Sequence, residues 1–274
     1  MSNFKTLLGT SAVALLCAGA ASATTIDITF NNSNGFGFLV TPVYTGLHSG
    51  NFDAFDEGTT ASAGVAQIAE IPVPPNLDGQ GNLIMGERVA VEPNSQGGFI
   101  ANGGPIMDGE SATLTIDVAD PTENRFATFL AMFVPSNDTF LGNDDPLAYE
   151  LFDVAGNLIE QTIQITGQSI WDAGSEVNQP FGAAAPGQDI LLGDDENGEV
   201  TRLIDIDDGF GGDGFDALAT LFGITGAGSI TADTVLFTID VAASPAPVPL
   251  PAGLPLLLGG LGALTFAKRR KKAA

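Results

Sequence analysis

Thiols and imidazoles are almost missing from this chain: of 274 residues, one is cysteine and one is histidine. Cys17 falls in the N-terminal segment read below as an export signal, and Leu16 before it is too bulky for a lipoprotein signal. The mature chain therefore has no thiol, which excludes disulfides, thiolate catalysis and cysteine-ligated zinc. A histidine-based triad or multi-histidine metal centre would have to be built around His48 alone. Its plainer role is that of a polar residue near a strand end. Positive charge is equally scarce, with 9 Lys and Arg against 33 Asp and Glu and a formal net charge of −24. Lys5 and the tail Lys268 to Lys272 account for most of the basic residues. Only Arg88, Arg125 and Arg202 remain between the two ends, so the domain itself carries about −30. Such a field repels nucleic acid and anionic membrane surfaces and attracts cations. Solubility outside the cell or in salty surroundings explains the same bulk charge without any ligand.

The ends say where the protein works. Met1 to Ala23 has the lone Lys5, an apolar run from Leu7 to Ala21, and Ala21-Ser22-Ala23 as a small-x-small cleavage site, so residues 1–23 read as a secretory signal peptide. At the other end, Val248 to Ala267 holds no charge and is just long enough to cross a hydrocarbon core of roughly 30 Å. Lys268-Arg269-Arg270-Lys271-Lys272 follow at once and would stay on the cytoplasmic side. The organisation expected is a signal peptide (1–23), a domain (24–243), a Pro/Ala linker and motif (244–251), a transmembrane segment (252–267) and a basic cytoplasmic tail (268–274). A permanent single-span anchor accounts for this tail. Its opening, Val248-Pro249-Leu250-Pro251-Ala252, also resembles the VPLPA variant of the PEP-CTERM sorting signals of Gram-negative bacteria. That resemblance implies an exosortase-type transpeptidase as partner, transient anchoring in the inner membrane, and release to the cell surface or exopolysaccharide matrix. Pro249 and Pro251 suit such processing, since each lacks an amide donor and keeps the chain extended.

About 218 residues, Thr24 to Val241, are enough for one β-rich domain with its own core. Alternation over Ile26–Phe30, Ala112–Val118 and Val235–Val241 predicts half-buried strands. The continuous apolar runs Phe36–Val40 and Phe126–Val134 predict central strands buried on both faces. Tyr149–Val154 and Thr162–Thr166 flank the Ala155-Gly156-Asn157 turn as an expected hairpin. Helical signal is sparse; the one short helix expected is Ala61–Glu70, with Ala61, Val65, Ile68 and Ala69 on one face. Many short strands and Gly/Asp turns argue for an all-β antiparallel sandwich with long acidic loops.

Two acidic turns carry the chemistry. Pro135-Ser136-Asn137-Asp138-Thr139-Phe140-Leu141-Gly142-Asn143-Asp144 and Trp171-Asp172-Ala173-Gly174-Ser175-Glu176 each set carboxylates beside Gly, Ser or Asn just after a strand. Oxygen ligands for a hard cation are gathered in this way. The alternative is that Asp138 and Asp172 cap turns by accepting from backbone amides.

Thr41-Pro42-Val43, His48, Phe52–Gly58 and Ala61-Ser62-Ala63-Gly64 to Ala69-Glu70 resemble the N-terminal part of the spondin domain. Met132–Phe140 resembles its central strand and following turn, and Trp171–Glu176 its Trp-Asp-Ala-Gly-Thr-Asp motif. The pieces fall in family order from about Phe30 to Pro180. The resemblance implies a β-sandwich, a calcium ion, and in animals a role in secreted matrix and adhesion proteins. Carried over residue by residue, it assigns calcium to Asp138, Asp172 and Glu176, with Asp144 and Glu70 as weaker candidates. Asn137 stands where the family has proline, and Glu176 where it has aspartate. The function expected is non-enzymatic calcium binding at the cell surface or in the extracellular matrix, with an exopolysaccharide or a surface protein as possible ligand.

Other acidic stretches carry less. Gly211–Ala219 matches the nonapeptide of calcium-binding β-rolls once, whereas stacking needs about three copies. Asp205-Ile206-Asp207-Asp208-Gly209 misplaces the EF-hand glycine. Both read as acidic surface loops, together with Asp194–Glu199. An envelope hydrolase acting on matrix polysaccharide is the competing class, because 33 acids always supply some carboxylate pair at glycosidase spacing.

Overall fold

The computed structural model describes residues 24–70, 96–134, 136, 138–177, 197–205, 224 and 226–245. All but Ser244 and Pro245 belong to one compact unit, Met1–Ala243. The signal peptide with Ala21 and Ala23, the motif Val248, Pro249, Leu250, Pro251 and Ala252, the apolar segment and basic tail after it, and the acidic stretch 206–219 lie outside the described residues. Among the described residues no helix is long and apolar enough to cross a membrane.

Strands β1 (Thr24–Asn32), β5 (Ser111–Val118), β8 (Gln161–Thr166) and β11 (Val235–Ala243) form a four-stranded antiparallel sheet in the order β5-β1-β11-β8. The period-2 pattern does what it predicts. Ile26, Ile28 and Phe30 point into the core while Asp27, Thr29 and Asn31 alternate with them on the outer face. The second sheet runs β10 (Thr201–Arg202), β9 (Ile170–Asp172), β7 (Thr139–Leu141), β6 (Phe126–Val134), β3 (Val43–His48), β4 (Gln96–Ile100), with β2 (Leu39–Val40) also on β6. All described pairings are antiparallel. The all-β class expected from the sequence is therefore present.

Continuous apolarity in β6 reflects burial on both faces. Ala127, Phe129, Ala131 and Phe133 pack in the cluster between the sheets with Phe30, Ile163, Phe237 and Ile239. On the other face Leu130 joins Tyr44, Phe55, Phe140, Trp171 and the helix residues Val65, Ile68 and Ala69. Helix α1 spans Ala63–Glu70 and thus starts two residues later than expected. The Ser62 hydroxyl accepts from the Val65 amide at 3.3 Å, the geometry of an N-cap, which leaves Ala61 outside the helix but packed on its cluster.

Two expectations need correction. Phe36–Val40 is not a full strand; only Leu39 and Val40 pair. Gly35 and Gly37 adopt φ of 70° and 97°, and Asn34 Oδ1 accepts from the Phe36 and Gly37 amides at 2.7 and 2.9 Å, curling the chain before it can extend. The hairpin is also only partial. The chain reverses over Asp153–Asn157, with Gly156 at φ 78°, and Phe152 bridges Leu158. The amides of Leu151 and Phe152 instead reach Arg125 O, and β8 takes β11 as its partner. A turn signal fixes a reversal of the chain, whereas the strand's partner is chosen by which sheet can bury Ile163 and Ile165.

Candidate metal site

The two acidic turns meet because β6, β7 and β9 are neighbours. At the β6–β7 turn, Ser136 Oγ accepts from the Thr139 amide at 3.2 Å and donates to Phe133 O. Asp138 sits on this turn, immediately before β7. Thr139 is then paired across the ladder with Asp172, the last residue of β9. The Ala173 amide donates to Asp138 O at 3.1 Å, tying the second turn to the first. Residues some 35 positions apart are thus fastened by backbone contacts before any side chain is considered.

The side chains follow from this. Asp138 is 0 % exposed, Asp172 3 % and Glu176 2 %. The Ser175 and Glu176 amides donate to Asp138 Oδ2 at 2.9 and 3.0 Å, and the Ser175 hydroxyl lies at 3.4 Å. Asp138 Oδ1 is buried without a hydrogen-bond partner. Asp172 Oδ1 accepts from the Gly174 amide at 2.7 Å. Burial, followed by the negative charge of Asp172, pushes the Asp138 carboxyl from an ordinary 3.8 up to about 7, with Glu176 adding to the rise. The two amide donors work against it but do not win.

Arg202 is close in the fold yet serves elsewhere. Opposite Trp171 in the ladder, it stacks on that ring at 4.9 Å while its Nη2 reaches Glu57 Oε2 at 3.3 Å. Trp171 donates to Gly142 O at 3.0 Å and meets Phe55 edge-on.

Asp138, Asp172 and Glu176 are thus brought into one buried neighbourhood. Asp172 and one oxygen of Asp138 act as turn caps; the other oxygen of Asp138 does not. Among the described residues no three His, Cys, Asp or Glu side chains stand as a ready-made ligand set. Asp144 lies in another group: its Oδ1 accepts from the Glu57 amide at 2.9 Å, and its charge acts on Asp53 together with Asp56 and Asp145. Glu70 closes α1 and is half-buried.

Parts of the site were not foreseen from sequence. Gly174 adopts φ 61°, and a Cβ there would meet Glu199 O and Gly198 C at 2.8 Å. The Gly198 amide donates to Gly174 O at 2.8 Å, so the segment before β10 braces the second turn. The Asp-Ala-Gly-Ser run signals a turn at Gly174, but nothing local signals its partner across the chain. His48 is buried at the end of β3, with Nε2 3.0 Å from Thr128 Oγ1 and the Gly50 amide donating to Nδ1 at 3.1 Å.

No protein-family model matches this chain, and no curated protein matches it in sequence.

Proposed function

We propose that this is an exported, non-enzymatic calcium-binding protein of the spondin type, delivered through its VPLPA-like tail to the cell surface or exopolysaccharide matrix, where it acts in adhesion or matrix structure. One observation carries the calcium reading: Asp138 is fully buried with one carboxylate oxygen held by two amides and the other unpartnered, beside two further buried carboxylates. Burying a carboxylate oxygen with no partner is costly, and a bound cation at Asp138 Oδ1 removes that cost. The donors are all oxygen, which suits Ca²⁺ rather than a soft metal. Asp138 Oδ1, Asp172 and Glu176 would hold the ion, with carbonyls and water completing about six to eight ligands. Bound there, the ion would supply positive charge and fasten the two turns together. With the three side chains at most 3 % exposed, this favours a structural staple over a direct bridge to sugar.

A second reading draws on the same residues. A carboxyl held near 7 beside two others has the protonation of a glycosidase general acid. Burial argues against it, because a polysaccharide needs access to the acid. Calorimetry with calcium tests the first reading: the wild-type protein should give a one-site titration that Asp138→Ala with Asp172→Ala abolishes. An unchanged titration rejects these ligands. Polysaccharide hydrolysis lost on a single carboxylate substitution would favour the enzyme instead.

A further inference from the structure

The four-stranded sheet ends on β8, and we infer that this edge pairs antiparallel with β8 of a second copy, joining two four-stranded sheets across a two-fold axis at Gln164. On its inner side β8 is hydrogen-bonded to β11; among the described residues no other strand pairs with Gln161–Thr166, and the further bonds at its ends are made by side chains, Gln161 Nε2 donating to Glu150 O and Thr166 Oγ1 accepting from the Gln168 amide. Such an edge is a template for another strand.

The other edges differ. β5 carries Asp117 and is tied to β4, where Gln96 Nε2 donates to Asp117 O and its Oε1 accepts from the Ala119 amide, both at 2.8 Å. β10 has only two residues and carries Arg202. β8 has six residues and no charge; indeed no charged residue occurs between Glu160 and Asp172, although the chain as a whole has a net charge of −24. A strand left neutral in so acidic a protein lacks the charges that usually protect an edge.

The strand is also complementary to itself. Ile163 and Ile165 face the core, while Thr162 and Gln164 face solvent. Antiparallel partners must share a face, so a two-fold axis must pass through a residue position rather than between two. With the axis at Gln164, Ile163 meets Ile165 of the second copy, Thr162 meets Thr166, and Gln164 meets Gln164. Apolar then lies against apolar and amide against amide. Moving the axis to Ile163 puts Gln161 against Ile165 on the buried face and Glu160 against Thr166. The isologous pairing gives a closed dimer rather than a fibre.

The test uses the full chain in a Cys17→Ser background, purified in detergent. Facing Cα atoms in an antiparallel ladder lie about 4.5 or 5.5 Å apart, both within disulfide range. With diamide as oxidant, Gln164→Cys should therefore run as a covalent dimer on a non-reducing gel. Thr162→Cys alone should stay monomeric, and Thr162→Cys with Thr166→Cys should cross-link again. In sedimentation equilibrium, Gln164→Lys places like charges face to face and should weaken dimerisation about fivefold. Added sodium chloride should strengthen it by screening the acidic subunits, with EDTA present to remove any calcium-bridged association. A Gln164→Cys chain that stays monomeric overturns the proposal, as does equal cross-linking at 162 and 164 or a Gln164→Lys chain that dimerises as well as wild type.

Discussion

Two sets of carboxylates in this chain meet opposite fates. On the outer face of the four-stranded sheet, Asp27, Asp117 and Asp240 each accept from a neighbouring hydroxyl, with Thr115 and Thr25 donating at 2.7 and 2.6 Å to the first two and Thr162 to the third. Asn31 Nδ2 adds a second donor to Asp240 at 2.9 Å. Water reaches all three. At the end of the seven-stranded sheet, Asp138, Asp172 and Glu176 are sealed from water, and one oxygen of Asp138 has no donor at all. Abundant negative charge therefore says little by itself. A site is marked where charge is buried and left incomplete.

The strongest way to break this contrast is to neutralise Asp138. Its folded carboxyl lies near 7 and its unfolded one near 3.8, so between those values the folded chain holds a proton that the unfolded chain has released. The metal-free protein should therefore lose stability as pH rises from about 4 to 7, and the loss should level off above 7. Over about three pH units this amounts to roughly 4 kcal/mol. Urea unfolding in EDTA at pH 5 and pH 8 samples only the part lost above pH 5, so wild type should lose roughly 3 kcal/mol that Asp138→Asn does not, with the variant the more stable at pH 8. Equal pH slopes in the two proteins would remove the contrast.

A smaller effect is expected from the brace. Gly174→Ala forces a Cβ onto the backbone of Gly198 and Glu199 at a positive φ, so stability should fall by about 1–3 kcal/mol. Because the Ser175 and Glu176 amides move with that turn, calcium affinity should weaken as well. A stability loss with unchanged affinity would separate the brace from the site.

The smallest effect belongs to the surface set. Asp27→Ala removes one exposed hydrogen bond and should cost less than about 1 kcal/mol. Its calcium titration should match wild type. A variant that weakened calcium binding would mean that surface charge, not the buried turn, gathers the cation.

Much of the fold was legible because the strands that build it follow local rules. β1, β5 and β11 alternate, and β6 is apolar throughout because both of its faces are covered. Asn34 shows where legibility ended. Its side chain captures three successive amides, turning an apolar run into a loop, and apolar periodicity takes no account of that. The Tyr149–Val154 segment failed as a full strand because the Leu151 and Phe152 amides found the Arg125 carbonyl, while the Asp153 amide turned back to Asn157 O. At the candidate site, Asp138, Asp172 and Glu176 could be picked from sequence by residue type beside turn formers. Their neighbours could not: Asp144 stands close to Asp138 in sequence yet belongs with Asp53, Asp56 and Asp145. The unpartnered oxygen depends on how two turns dock, which no local pattern encodes.

Proton release on calcium binding tests the central claim most directly. Calorimetry at pH 6 in buffers of different ionisation enthalpy should show about one proton leaving for each calcium bound, falling toward zero at pH 8.5, because the carboxyl that takes the ion is still protonated at the lower pH. Asp138→Asn should show no such release. Calcium binding with no proton release at pH 6, or no calcium binding at all, would contradict the account.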